Sequence, residues 1–357
     1  MAYLITPNTA NSSMGRNFGT SIMRPQIEQN AAYADLVLQN AAILVPENEL
    51  KWARIRATPN GYDFHDADWI VNYAYNKGKK VYGHTLVWGL THPAWVNTFL
   101  SGATETEAYD LMIDHITTLV GRYKGRIRSW DVVNEPILTW DGRADGLRVT
   151  SNPWLAALSK GYAESATSFI KVAFDAAREA DPSARLLLNQ NYLEYPGTDE
   201  GGAGLYNGMR ARFLDLLDEL DRLGAPVDAV GIQGHLETVH TAFNATSFAN
   251  FLSEVAARNV DIVITEMDVK DTNLSADIAL RDQEVAAQYA EFLDVCLDQR
   301  AVKEVIMWAI ADQYSWLNDL PSAERPDDLP LRPLLFDGSL QPKAAYAAVQ
   351  QRVRRLR

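Results

Sequence analysis

Ser129-Trp130-Asp131-Val132-Val133-Asn134-Glu135-Pro136 (SWDVVNEP) decides the fold of this chain. The run starts at Ile127 and stays mostly apolar to Val133, without the in-out alternation of a half-solvated strand. That is the pattern of a strand covered on both faces, as strands of a parallel sheet are. It then stops on an amide, a carboxylate and a proline, so the strand ends in groups able to do chemistry.

Runs of the same kind recur along the chain at Ala42–Val45, Lys80–Trp88, Ala184–Asn189, Ala229–Gly234, Asp261–Glu266 and Glu304–Ile310, with a weaker one first at Asn17–Ile22. Helical patterns lie between them. Phe213, Leu216, Leu217 and Leu220 share one helical face, as do Phe248, Phe251, Leu252 and Val255. Thr104 with Glu107 reads as a capping box opening a helix toward Leu111, Ile116 and Leu119. Further helices are expected near residues 30–40, 64–77, 162–180, 281–299 and 342–356. Strands alternating with helices in this number predict the α/β class and a single (β/α)8 TIM barrel. A doubly wound open sheet needs a Gly-rich phosphate turn directly after a strand. The one candidate, Gly201-Gly202-Ala203-Gly204, follows a loop. With no linker or low-complexity tract, residues 1–357 read as one domain, its core about 17–356 and residues 1–16 an N-terminal extension.

A barrel of this kind carries its chemistry where strands end and the following loops begin. Glu135 closes the fourth run and Glu266 the seventh, and barrel closure lets both face one cleft. Two carboxylates across a cleft suit glycosidic bond cleavage: one delivers a proton to the leaving oxygen, the other attacks or activates water. Taken singly, either residue would read as a solvated strand end. Asp268 lies two residues beyond Glu266, on the same face of an extended strand.

Composition narrows the partners. Asp and Glu outnumber Lys and Arg, 46 to 33, for a net charge of −13, so nucleic acid and anionic membranes are not expected to bind. No run approaches the length of a membrane span. The six histidines show no HExxH spacing and the single cysteine, Cys296, reads as a small buried apolar residue, so no metal and no cofactor are expected. A G-x-S-x-G elbow is missing as well. Met1–Met14 lacks the basic start and apolar run of a signal peptide, so a secreted or periplasmic location requires that a leader was removed; a cytoplasmic one stays open.

Taken together, WDVVNEP (Trp130–Pro136), ITEMDV (Ile264–Val269), VPENELKW (Val45–Trp52) and GHTLVW (Gly83–Trp88) resemble the signature stretches of glycoside hydrolase family 10. GIQGHL (Gly231–Leu236), WAIADQYSW (Trp308–Trp316) and PLLFDGSLQPKAAY (Pro333–Tyr346) add to the resemblance, in the family's order and over roughly residues 18–350. The resemblance implies an endo-acting, retaining β-1,4-xylanase that works without a cofactor on xylan and xylo-oligosaccharides, here expected as a monomer. It implies Glu135 as general acid/base and Glu266 as nucleophile, about 5–5.5 Å apart. Asn134 is implied to bind the 2-hydroxyl of the sugar under attack, and His235 with Asp268 behind it to hold Glu266. Glu47, Asn48 and Lys51 are implied to grip the sugar two units to the non-reducing side, and His84, Trp88, Gln233, Trp308 and Trp316 to line the cleavage point. Asn191 and Tyr192 are implied contacts for the leaving sugar, and Trp140 an outer one.

The chain departs from the family pattern in three places. Gly89-Leu90-Thr91 follows Trp88 where a second histidine and polar residues are usual. Asn189-Gln190-Asn191-Tyr192 replaces Asn-Asp-Tyr-Asn. Ala309 stands where glycine is usual. Two loops, Thr139–Pro153 and Pro321–Pro333, either shape subsites or act as lids, or are ordinary surface. Two other readings stay open: the same chemistry on another β-1,4-linked substrate, glucan or decorated glycoside, and a non-catalytic xylan-binding barrel.

Overall fold

Each apolar run becomes a strand in the computed structural model, which describes residues 13–158, 167–197, 204–237 and 243–356. The strands are β1 Phe18–Ile22, β2 Ile43–Pro46, β3 Lys80–Gly83, β4 Ile127–Asn134, β5 Arg185–Gln190, β6 Ala229–Ile232, β7 Asp261–Lys270 and β8 Val302–Met307. Neighbours pair in parallel in that order, and β8 pairs with both β7 and β1, so the sheet closes into a barrel with helices between strands. The third run breaks at His84–Leu86 and resumes as Val87–Trp88, paired to Val133–Asn134. A matching extension, His235–Glu237, follows β6 and pairs with Asp268–Lys270. Both extensions lengthen the wall of the barrel at the end where the strands terminate.

Two apolar layers hold the barrel. Ile43, Val45, Tyr82, Leu187, Ala229, Val263 and Ile306 fill its interior and end against Trp308. A larger layer lies between strands and helices. The helices Met209–Arg222 and Ala245–Ala256 bury the faces expected from their spacing. Thr104 caps Glu105–Arg122 through reciprocal bonds with Glu107 at 2.8 and 3.3 Å. Cys296 is fully buried among these helices. Two glycines are required by close approach. A β-carbon at Gly83 would lie 2.2 Å from the Trp130 ring, and one at Gly231 would lie 2.2 Å from Asn189 Oδ1.

The packed body begins before residue 17: Met14 is fully buried, and the Ser13 N–H donates to the Gln39 carbonyl at 2.8 Å. The glycine stretch at Gly201–Ala203 and the start of the helix expected from residue 162 lie outside the described residues; within them the helix runs Ser168–Ala180. Among the described residues no helix is long and apolar enough to cross a membrane.

Neither long loop is loose. Asp141 accepts from the Val149 and Thr150 amides and from the Thr150 hydroxyl, each at 2.7 Å, and Ile137 bridges Leu147 across the base of the first loop. In the second, Arg325 donates to the Asp271 and Leu274 carbonyls, Thr272 to the Ala323 carbonyl, and Arg332 pairs with Asp282.

Candidate active site

Glu135 and Glu266 emerge from β4 and β7 into one cleft of about 1050 Å³ at the C-terminal ends of the strands. Glu135 follows the last residue of β4 and takes a left-handed backbone (φ 53°), with its N–H donating to the Asn189 carbonyl at 2.8 Å. A non-glycine residue in that region is held there by its surroundings, as happens at functional sites. Glu135 is 7% exposed, and each oxygen of its carboxylate faces a donor. Gln233 Nε2 donates to Oε1 at 3.1 Å, and Arg148 Nη2 to Oε2 at 3.0 Å. Arg148 also donates through Nε to the Glu135 carbonyl at 2.9 Å, so one guanidinium fixes the backbone and the head of this residue.

Glu266 has a different neighbourhood. Asn189 Nδ2 donates to Oε1 at 2.7 Å, His235 Nε2 approaches Oε2 at 3.5 Å, and His84 Nδ1 stands 4.0 Å from Oε1. Burial would push this carboxyl up, but the His235 contact, the nearby His84 and the Asn189 bond outweigh it and hold it below the usual carboxylate range. His235 donates through Nδ1 to Asp268 Oδ1 at 2.9 Å, and Trp316 Nε1 donates to the other Asp268 oxygen at 2.8 Å. Burial pulls the His235 imidazole down, yet Asp268 and Glu266 on its two sides lift it well above its ordinary value. The result is a hydrogen-bonded chain, Glu266–His235–Asp268, steered by an indole. A second chain runs from Tyr82 to Asp131 and on to His84, whose Nδ1 donates to Asp131 Oδ2 at 2.8 Å. His84, Asp131 and Glu266 offer one ligand atom each within 4.8 Å, and these atoms are already engaged in the two chains.

Asn134 has an orphan donor. Its Oδ1 accepts from Asn189 Nδ2 at 2.8 Å and from Gln233 Nε2 at 3.4 Å, which fixes the amide and leaves Nδ2 buried with no partner among the described residues. Such a group is expensive to leave unpaired unless a ligand satisfies it.

On one side of the pair, Glu47, Asn48 and Lys51 leave the end of β2 together. Lys51 Nζ donates to Asn48 Oδ1 at 3.1 Å and lies 5.3 Å from the centre of the Trp88 ring. Burial pushes the Glu47 carboxyl up to about 7, despite Lys51 and a 3.3 Å bond from the Ser21 hydroxyl. Trp308 stands edge-on to His84 at 5.1 Å, and Trp316 flanks His235 at 5.2 Å. On the other side Tyr192 and Trp140 meet edge to face at 5.3 Å, both partly open to solvent, with Asn191 beside them in the same cleft. Every residue singled out in the sequence, from Glu47 to Trp316, thus converges on this cleft or, like Asn134, on its catalytic floor.

The sequence reading missed two residues. Asn189, the penultimate residue of β5, bonds Glu266, Asn134 and, through Oδ1, the Thr265 hydroxyl at 2.7 Å. Its position at a strand end was the available signal. Arg148 sits in an irregular loop and gave none. The departures also acquire reasons. A β-carbon on Gly89 would lie 3.1 Å from the Ser151 carbonyl, so the loop carrying Arg148 rests where the usual histidine would project. Gln190 clamps that loop's start, accepting from the Ile137 N–H at 2.9 Å and donating to its carbonyl at 3.1 Å. Ala309 holds the left-handed backbone (φ 69°) that a glycine takes freely. Its N–H donates to the Ser21 hydroxyl at 2.8 Å, the same hydroxyl that serves Glu47.

Residues 7–352 match the model of glycosyl hydrolase family 10. Endo-1,4-beta-xylanase 3 of Hypocrea jecorina is 31% identical, with 93% of this chain and 81% of the relative covered. The beta-1,4-xylanase of Dictyoglomus thermophilum is 32% identical over 88% of this chain and 82% of its own. Among solved structures, xylanase 10B of Thermotoga maritima is similar with a TM-score of 0.81 at 29% identity over 98% of each chain. Xylanase 10B of Thermotoga petrophila, solved with xylobiose, is similar with a TM-score of 0.81 at 28% identity, covering 99% of this chain and 98% of its own.

Proposed function

Since the chain belongs to glycosyl hydrolase family 10, we propose how its cleft works as a retaining endo-1,4-β-xylanase. Glu266, kept ionised by His235 and Asn189, attacks the anomeric carbon of the xylose lodged between Trp308 and Trp88. Glu135 gives its proton to the departing oxygen, and a glycosyl ester on Glu266 results. Water then enters, Glu135 takes its proton, and the ester is cleaved with the original configuration restored. The observation that carries this reading is that two buried carboxylates face one cleft, with Glu266 held below the usual carboxylate range by His235, His84 and Asn189.

Both oxygens of Glu135 face donors, which suits the carboxylate that acts as base in the second half-reaction. In the first half one of these contacts yields to the proton. The unpaired Nδ2 of Asn134 is placed for the sugar 2-hydroxyl, a bond that strengthens as charge grows on the anomeric carbon. Glu47, Asn48 and Lys51 offer a compact acceptor and donor set for the next sugar toward the non-reducing end, and Trp140 with Tyr192 offers flat faces beyond the cleavage point. Indoles closing the cleavage site favour xylose, which lacks a hydroxymethyl group. The enzyme is proposed to act as a monomer, outside the cytoplasm where the polymer lies.

Product analysis on defined xylo-oligosaccharides, followed by NMR for anomeric outcome, tests the mechanism. Internal cleavage with retention is expected. Glu266→Ala is expected to abolish hydrolysis, and Glu135→Ala to be rescued by azide on aryl glycosides. Inverted products, or near-normal turnover by Glu266→Ala, would overturn the assignment, and binding without any products would favour a non-catalytic barrel.

A further inference from the structure

We propose that the floor of the barrel, at the end opposite the catalytic cleft, binds a small divalent oxyanion of the phosphate kind. A cavity of about 390 Å³ opens there among the N-terminal ends of the strands. Its charged lining comes from Arg16 ahead of β1, Lys80 at the start of β3, Arg128 in β4, Arg185 at the start of β5, and Lys303 with Glu304 in β8.

The charges there do not balance. Glu304 is buried and spent: Arg128 Nη1 lies 2.7 Å from one oxygen and Arg185 Nη2 2.6 Å from the other. Asp261 at the rim stands 3.9 Å from Arg185 and 3.7 Å from Lys303. Lys80 Nζ reaches the Arg16 carbonyl at 3.3 Å, and among the described residues no carboxylate pairs with Lys80 or Arg16. Five cations against two carboxylates leave three positive charges in one concavity, in a protein whose net charge is −13. The cations also disfavour one another. Burial, and after it the neighbouring guanidinium of Arg128, depress Lys80; burial, and the guanidinium of Arg185, depress Arg128.

A concave, low-dielectric wall of one sign focuses its field on an ion of the other. Phosphate supplies two charges and several acceptor oxygens, which guanidinium forks and ammonium groups engage together. The lining has no aromatic face for a sugar to stack on, and the pocket is too small for a nucleic-acid backbone. An ion held here would tie the ends of β1, β3, β4, β5 and β8, on the face of a barrel that serves stability rather than catalysis. It would therefore raise stability in proportion to its binding to the folded state.

The test follows thermal unfolding and calorimetric titration of the full chain with inorganic phosphate at pH 7, sodium chloride holding the ionic strength constant. A saturable calorimetric titration is expected, and a Tm that climbs with the logarithm of phosphate concentration, by about 4 °C at roughly a hundredfold excess over Kd, with xylobiose leaving phosphate affinity unchanged. The double variant Lys80→Gln/Lys303→Gln is expected to lose at least about tenfold in phosphate affinity, keep its rate on xylan, and melt no lower than wild type in chloride, since it sheds like-charge repulsion. Three results overturn the site: chloride matching phosphate at equal ionic strength, wild-type phosphate affinity in the double variant, or competition by xylobiose. A double variant that melts lower than wild type in chloride overturns the charge argument and the site with it.

Discussion

His235 is the residue through which the nucleophile is tuned, because it stands between two carboxylates and carries a charge for both. Replacing it by Asn removes the cation that holds Glu266 below the usual carboxylate range. Activity depends on Glu266 being ionised, so the acid limb of the kcat/KM profile of His235→Asn is expected at higher pH than in wild type. An unmoved limb would mean that Asn189 and His84 suffice. Arg148 acts on the other carboxylate. Losing its charge-assisted bond, of roughly 1.5–3 kcal/mol, should lower kcat/KM on xylan about tenfold or more in Arg148→Met. Aryl xylosides with good leaving groups need little proton donation, so their rates should fall much less; equal losses on both would refute a role in placing the acid. Glu135 and Glu266 were legible because each stops an apolar run with a carboxylate, and His235 and Asp268 because they lie in the same strand-end motifs. Arg148 was not legible, since its contact with Glu135 exists only once the intervening loop is folded. Asn189 stood in a stretch read toward the leaving sugar, whereas its amide points under the nucleophile.

At the scale of elements, the loop Thr139–Pro153 is a bracket, tied by its own hydrogen bonds, that delivers Arg148. Asp141 ties its far limb through three bonds, the Leu138 N–H donates to the Gly146 carbonyl and the Arg148 N–H to the Pro136 carbonyl, at 2.8 and 2.7 Å. Asp141→Ala should therefore reproduce the substrate pattern of Arg148→Met at a distance from the chemistry. Adding Asp141→Ala to Arg148→Met should then lower kcat/KM little further, because both changes act through one contact; additive losses would separate the loop from the acid. The sequence could name this loop but not decide between bracket, lid and padding, because a turn of this length is fixed by side-chain bonds rather than by periodicity. The strands were legible as apolar runs. The break at His84–Leu86 inside the third run was not, since an interruption that turns side chains into a cleft keeps the same apolar composition.

For the whole molecule, buried carboxyls set how stability varies with pH. Burial raises Glu47 from an ordinary 4.5 to about 7, and Asp312, which braces Lys343 and the Leu334 amide, from 3.8 to about 6. A folded value above the unfolded one means that the folded state holds the extra proton between the two. The stability contributed is complete below the unfolded value and is lost as pH rises through the folded one. These two groups therefore make stability fall as pH climbs from about 4 toward 7, while Glu266, shifted the other way, makes it fall as pH drops further. Together these three groups place their contribution's maximum in the acidic range, near the ordinary carboxylate values of about 4 to 5. Glu47→Gln isolates one term. At pH 5 wild-type Glu47 is neutral in the fold and resembles glutamine; at pH 8 it is a buried anion whose linkage term is on the order of 3 kcal/mol. The variant should gain thermal stability over wild type at pH 8 and little at pH 5, with a KM on xylan raised at pH 8, where the wild-type carboxylate is a charged acceptor for the sugar hydroxyls. A gain that is the same at both pH values, or a KM that does not change, would separate the burial of Glu47 from substrate binding. Together, the two expected changes identify this carboxylate as stability given up to hold a sugar.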